Sequence, residues 1–114
     1  MIVLQWQDSI YSLGQTQTGT LNDLDIFLTN NNGSLLFGFN RNNFGGDPLE
    51  VLPFTVLQNT TANIMIIRAA GSTNVNLKYI VFRGELVIDE HNSGTSTIVG
   101  QANAAGANAV GAVL

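Results

Sequence analysis

The chain contains no cysteine, one histidine, two prolines and few charged residues. Without cysteine it can form neither a disulfide framework nor a thiolate zinc site. Charged residues make up 11% of its 114 residues, whereas about a quarter is typical of globular domains. Asn, Gln, Ser and Thr take their place, so we expect a polar but uncharged surface. This composition favours a β-rich extracellular module over a cytosolic helical protein.

The chain also lacks a basic patch, and its net charge is -4. Neither nucleic acid nor an anionic membrane is therefore expected as a partner. The first residues, MIVLQWQDSI, have neither the basic start nor the long apolar run of a signal peptide. We expect a secreted or extracellular domain whose signal peptide lies upstream. The apolar C-terminal stretch is not predicted to span a membrane, because Gln101, Asn103 and Asn108 interrupt it.

Nearly every segment before His91 shows period-two alternation or a short apolar run, and none has a helical period. Turn signals recur about every 8 to 12 residues, and Asn30 to Gly33 (NNNG) predicts a tight hairpin. The pattern predicts an all-β fold, an antiparallel β-sandwich of jelly-roll or immunoglobulin-like type with seven to eight strands. Seven strand segments are predicted: IVLQW, DLDIFLTN, SLLFGFN, LEVLPFTVL, ANIMIIRAA, VNLKYIVFRG and ELVID.

Two carboxylates in the second of these segments are candidate metal ligands. Asp23 and Asp25 are two residues apart in a predicted strand, so their side chains leave one face about 6.5 to 7 Å apart. They would be able to share a Ca²⁺ ion, with further oxygens from Asn22, Asp8, Asp47 or Glu50. The alternative is that both face solvent or cap turns. Apart from calcium, no cofactor is expected.

Three further residues are candidates for ligand binding: Trp6, Asp47 and Glu50. Trp6 belongs to an aromatic set that is either core or an exposed platform for sugar or peptide. Asp47 and Glu50 lie in the turn FGGDPLE, where Asp47 is predicted to accept backbone N–H bonds.

A hydrolase constellation is not predicted. The stretch SGTST contains Gly-Thr-Ser, the core of the subtilisin nucleophile motif, but Ser96 is followed by Thr97, Ile98 and Val99, which indicate a strand. A serine nucleophile also needs a base and an orienting carboxylate. His91, which is the only histidine, lies in the same short loop and is expected to be solvated.

Four stretches in a fixed order, VLQWQD, NDLDIFLTNNNG, GGDPLEVL and LKYIVFRGE, carry a family resemblance over about residues 3–90. They resemble the β-sandwich (PPC-like) domains inserted in or appended to secreted bacterial subtilisin-like serine peptidases. The closing stretch TIVGQANAAGANAVGAVL resembles the part of the subtilisin catalytic domain that re-enters its parallel sheet, with NAVGAVL as the strand.

The resemblance implies an accessory domain at residues 1–92, followed at residues 93–114 by a linker and a displaced strand of the catalytic domain. It implies a non-catalytic role in substrate binding or active-site access for a secreted subtilisin-like endopeptidase. The expected partners are the catalytic domain of the same chain and a protein or glycan substrate. The family's catalytic Asp, His-Gly-Thr-His and Gly-Thr-Ser-Met-Ala motifs are absent, so no residue is predicted to be catalytic and the chain is not expected to be an enzyme. The alternatives are a stand-alone carbohydrate- or protein-binding module and a structural spacer.

Overall fold

The computed structural model describes residues 1–14, 16–84 and 86–91, and within them the fold is all-β, as predicted. Six strands are present in this part of the chain. In chain order they are β1 (Ile2–Trp6), β2 (Asp23–Thr29), β3 (Leu35–Phe39), β4 (Leu49–Leu52), β5 (Asn63–Ala70) and β6 (Leu77–Val81).

The strands form two three-stranded sheets, ordered β4-β1-β6 and β3-β2-β5, and every pairing is antiparallel. The central strands are β1 and β2. Leu4 of β1 pairs with Glu50 on one side and Tyr79 on the other, and Ile26 of β2 pairs with Phe39 and Ile66. The β4-β1-β6 sheet is therefore assembled from strands that are distant in sequence, whereas the other sheet contains the hairpin of the consecutive strands β2 and β3.

The predicted count of seven to eight strands is wrong for the described residues. Residues 86–89 of the predicted strand ELVID form no ladder, and Val87 remains 84% exposed, so burial does not favour pairing there. The segment LEVLPFTVL is a strand only as far as Leu52. Pro53, which follows, has no N–H to donate to a ladder.

One core cluster draws side chains from both sheets. Alternate residues of β1 and β2 point into it, because successive side chains of a strand face opposite sides. The cluster consists of Ile2, Leu4, Trp6, Leu24, Ile26 and Leu52. Apart from Leu52, which lies in β4, these are the apolar positions that alternation selects in β1 and β2.

The hairpin between β2 and β3 turns where the sequence predicts it. Asn30 N donates to Ser34 O at 2.9 Å, and Gly33 N donates to Asn30 O at 2.9 Å. Gly33 has a φ of 80°, a conformation that glycine adopts without a steric penalty. The Asn30 side chain also accepts the backbone N–H groups of Asn32 and Ser34.

The predicted linker and displaced strand at residues 93–114 lie outside the described residues. In the part of the chain that the structure describes, no helix is long and apolar enough to cross a membrane.

Candidate functional site

Buried polar side chains gather at one end of the two sheets. At this end β1 stops at Trp6, β2 begins at Asp23 and β4 begins at Leu49. The register brings the end of β1 beside the start of β4, since Gln5 pairs with Leu49. Hydrogen bonds from Asn43 link Asp23 to Leu49. Among the described residues seven polar side chains are buried, and six of them lie in or near these strand ends: Thr20, Asn22, Asp23, Asp25, Asn43 and Glu50.

A first polar network ties the loop after β1 to the start of β2. Trp6 Nε1 donates to Thr20 Oγ1 at 3.1 Å, and the Thr20 hydroxyl donates to Asp8 Oδ2 at 2.6 Å. Asn22 Nδ2 donates to Asp8 Oδ2 at 3.0 Å and to Thr73 Oγ1 at 2.6 Å. The network holds the β1–β2 loop together and joins it to the β5–β6 loop through Thr73, so its first role is structural.

Asp8 is the acceptor at the centre of this network. Burial alone would raise the pKa of Asp8, but hydrogen bonds from Thr20, Asn22, Ser9 and Leu21 outweigh it and lower the pKa below the ordinary 3.8. Asp8 is therefore held as a carboxylate whose acceptor capacity is already used inside the fold.

Trp6 does not form the exposed platform that was one of its two predicted roles. Its side chain is buried in the core cluster, and its indole N–H is satisfied by Thr20. This placement favours the interpretation of Trp6 as a core residue.

Asn43 connects the two sheets at this end. Its backbone N–H donates to Asp23 Oδ1 at 2.9 Å. Its side-chain Nδ2 donates to the carbonyls of Asp47 and Leu49 at 3.0 and 2.8 Å. Because Nδ2 is committed to two carbonyls, the amide orientation is determined and Oδ1 is left as an acceptor.

Glu50 and Asp25 are buried carboxylates that lack hydrogen-bond partners. Glu50 is 1% exposed and neither of its carboxylate oxygens has a partner; Asp25 is 8% exposed and its Oδ1 has none. Burial, followed by the charges of Asp25 and Asp23, raises the pKa of Glu50 to about 7, and Arg41 opposes this shift. Burial and the charge of Asp23 also raise the pKa of Asp25.

All the unpartnered buried side-chain atoms among the described residues are acceptor oxygens. They are Asn22 Oδ1, Asp25 Oδ1, Asn43 Oδ1, Glu50 Oε1 and Glu50 Oε2. Buried polar atoms normally have partners, because an unmet hydrogen bond costs about 1–3 kcal/mol. This end of the fold therefore has an excess of buried acceptors over donors.

The predicted metal ligands Asp23 and Asp25 are thus both buried, and their charges reach Glu50. Within the described residues, however, no group of three or more His, Asp or Glu side chains is arranged to hold a metal ion. Asp47 has a different role. It accepts the backbone N–H of Ser12 at 2.8 Å, which confirms its predicted use as a backbone acceptor.

No hydrolytic arrangement is visible in the described part of the chain. His91 is exposed with a φ of 58°, and Ser93 and Ser96 lie outside the described residues. Two shallow depressions are present on the surface. One is polar and open, and is lined by Tyr11, Ser12, Gly14, Thr16 and Gln17. The other is more enclosed and lies near Met1, Phe54 and Arg83.

Comparisons of the chain with protein-family models, with curated proteins and with solved structures found no match. The function of the chain is therefore inferred from its own residues and from the resemblance of its motifs.

Sequence reasoning missed two residues that shape this site. Both lie in segments whose sequences predict only polar loops, RNNFGGDP for Asn43 and SLGQTQTGTLN for Thr20. The composition of the loop RNNFGGDP, with two asparagines before a glycine pair, was the available signal for Asn43. No local pattern marks Thr20, whose importance comes from its contact with Trp6.

Proposed function

We propose that the chain is a non-catalytic accessory domain of a secreted subtilisin-like serine endopeptidase. In this proposal the two sheets stack as a β-sandwich of jelly-roll or immunoglobulin-like type. A core cluster shared by both sheets supports the stacking. The order of the sequence motifs supports the peptidase context.

The observation that carries a docking role is an apolar face on the β3-β2-β5 sheet. Side chains on the side opposite the core include Phe27, Met65 and Ile67, because Phe27 pairs with Met65 and Asp25 with Ile67. Met65 and Ile67 are exposed. The Phe27 ring lies against Gly38 of β3, where a side chain would collide with it. Exposed contiguous apolar surface is typical of interaction sites.

The edge strand β3 adds further exposed apolar side chains. Phe37 and Phe39 lie on the other side of the sheet from Met65, because they pair with Leu28 and Ile26. The β3 residues Leu35, Phe37 and Phe39 are exposed, and β3 contains neither a charge nor a proline. Such an edge is normally covered by another element. We assign the catalytic domain of the same polypeptide as the partner that covers it, which would place this domain beside the active-site cleft.

The first test of this proposal is the reading frame on both sides of the chain. We expect a catalytic Asp motif and His-Gly-Thr-His upstream, and Gly-Thr-Ser-Met-Ala downstream. If these motifs are missing, a stand-alone carbohydrate- or protein-binding module replaces the proposal, and the depression around Tyr11 becomes the surface to test with glycans. Peptide hydrolysis by the isolated chain would contradict the non-catalytic role.

The docking role is tested in the full-length protein with Met65→Lys. A charge on the apolar face should uncouple the thermal unfolding of the two domains and lower kcat/KM for a protein substrate. Leu57→Lys is the matched control, because Leu57 is almost fully exposed in the β4–β5 connection and outside any strand. Equal effects of the two variants would show that the β3-β2-β5 face does not contact the peptidase.

A further inference from the structure

The strongest unexplained feature of the molecule is its surplus of buried acceptor oxygens around Glu50. The relevant atoms belong to Asp25, Asn43 and Glu50, which we call the Asp25–Asn43–Glu50 cluster. All three residues are more than nine-tenths buried, with exposures of 8%, 7% and 1%. Each has at least one oxygen without a partner in the described structure.

The three residues come together through the fold. Asn43 links the strands that carry the two acids, since it donates from its backbone to Asp23 and from its side chain to Leu49 O. Asp23 and Leu49 are close neighbours in the chain of Asp25 and Glu50. The charge of Asp25 also contributes to the raised pKa of Glu50.

The charge in this region is strongly unbalanced. Asp23, Asp25 and Glu50 are three acids, and Arg41, which is exposed, is the basic residue whose charge reaches Glu50. A buried carboxylate without a partner is unfavourable unless it is neutralised by a proton or a cation. The unpartnered atoms are all oxygens, which are the ligands that hard cations prefer.

We propose that the Asp25–Asn43–Glu50 cluster binds a hard divalent cation, and that Ca²⁺ is the ion that best fits its oxygens. The ligand set combines two carboxylates with an amide oxygen, a mixture that Ca²⁺ sites commonly use. It contains two acids and so does not require a group of three His, Asp or Glu side chains, of which none is arranged to hold a metal ion in the described residues. The ion would compensate the acids and link β2 to β4 across the two sheets.

The test measures Ca²⁺ binding to the intact chain by calorimetry and by urea unfolding in Ca²⁺ or EDTA. Extracellular modules bind Ca²⁺ with a Kd of about 10⁻⁴–10⁻³ M, so about 5 mM Ca²⁺ should raise the folding equilibrium constant roughly 5- to 50-fold. Glu50→Gln and Asp25→Asn should each abolish most of this gain. Asp89→Asn is the control, because Asp89 is an exposed acid far along the chain from the cluster.

A second readout uses the single tryptophan as an energy donor. Trp6 and Glu50 lie diagonally on one face of the β1–β4 ladder, because Leu4 pairs with Glu50. Tb³⁺, which takes the place of Ca²⁺ at oxygen sites, should therefore show luminescence excited through Trp6, and Glu50→Gln should remove it.

The proposal is overturned if the wild-type chain binds no Ca²⁺ at millimolar concentration, or if both cluster variants keep the wild-type response. Glu50→Gln removes an uncompensated buried acid, so we expect this variant to fold at least as well as the wild type in EDTA. Asp25→Asn provides an independent loss of one ligand charge. None of these measurements depends on the peptidase partner.

Discussion

Glu50 provides a quantitative prediction about stability and pH in the absence of metal. Its pKa rises from the ordinary 4.5 to about 7 on folding, because the folded chain buries it beside Asp25 and Asp23. Between these two values the folded chain holds a proton that the unfolded chain has lost. The contribution of Glu50 to the free energy of unfolding is therefore greatest below pH 4.5, falls as the pH rises towards 7, and levels off above pH 7.

The size of the effect follows from the pKa difference. At about 1.36 kcal/mol for each pH unit, ionising Glu50 in the folded chain costs about 3 kcal/mol. This is a large part of the 5–15 kcal/mol that holds a typical domain folded. Asp25, whose pKa is also raised, acts in the same direction. The lowered pKa values of Asp8 and Asp47 matter only when the pH falls below about 3.8, outside this window.

The assay is urea unfolding between pH 5 and 8 in EDTA, followed by the fluorescence of Trp6, the only tryptophan and a buried one. With an m value of about 1–3 kcal/mol/M, the wild-type midpoint should fall by about 1 M or more over this range. Glu50→Gln cannot ionise and should show a much smaller slope, while Asp89→Asn should behave as wild type. A wild-type midpoint that stays level or rises with pH would refute the reasoning, as would an unchanged slope in Glu50→Gln.

Two further predictions concern the loops that frame the site. Thr20→Val should lower the free energy of unfolding by about 1–3 kcal/mol, because it leaves the buried indole N–H of Trp6 without an acceptor. Thr20→Ser keeps the hydroxyl and should retain most of the stability in the same urea assay. Equal losses in the two variants would show that the hydroxyl is not responsible. Gly19→Ala should lower the melting temperature far more than Gly14→Ala. Both glycines have positive φ, 63° at Gly19 and 67° at Gly14, so alanine adds a strain of about 1–2 kcal/mol at either position. Only at Gly19 would the added Cβ also collide with the carbonyl of Gly46. Similar melting temperatures for the two alanine variants would contradict the close approach.

Local features of the fold were predictable from the sequence. The alternation in DLDIFLT predicts β2 and selects Leu24 and Ile26, which join the core cluster. The NNNG turn predicts the hairpin, because Asn and Gly tolerate the backbone angles it needs. Asp47 was predicted as a backbone acceptor because Asp next to Gly and Pro commonly caps a turn. The first two predictions succeed because each depends on residues within a few positions of one another, whereas the backbone N–H that Asp47 accepts belongs to Ser12, 35 positions away.

The buried state of Asp23 and Asp25 was not predictable from the same pattern. Alternation places them on the face opposite Leu24 and Ile26, which for a two-layer protein predicts solvent. A register shift between Asp23 and Leu24 interrupts the ladder there, and Asn43, which lies 20 residues away, donates to Asp23. Both effects come from segments that the local pattern does not include.

The sequence by itself determined the secondary-structure class, the position of the β2–β3 turn and the apolar set of β1 and β2, since these depend on short-range periodicity and backbone preference. Tertiary structure alone decided that β1 lies between β4 and β6, that Trp6 is buried against Thr20, and that Glu50 shares a buried, acceptor-rich environment with Asp25 and Asn43. The physical reason is that burial and charge coupling depend on distance in space. Antiparallel pairing here brings together residues more than forty positions apart, such as Leu4 and Glu50.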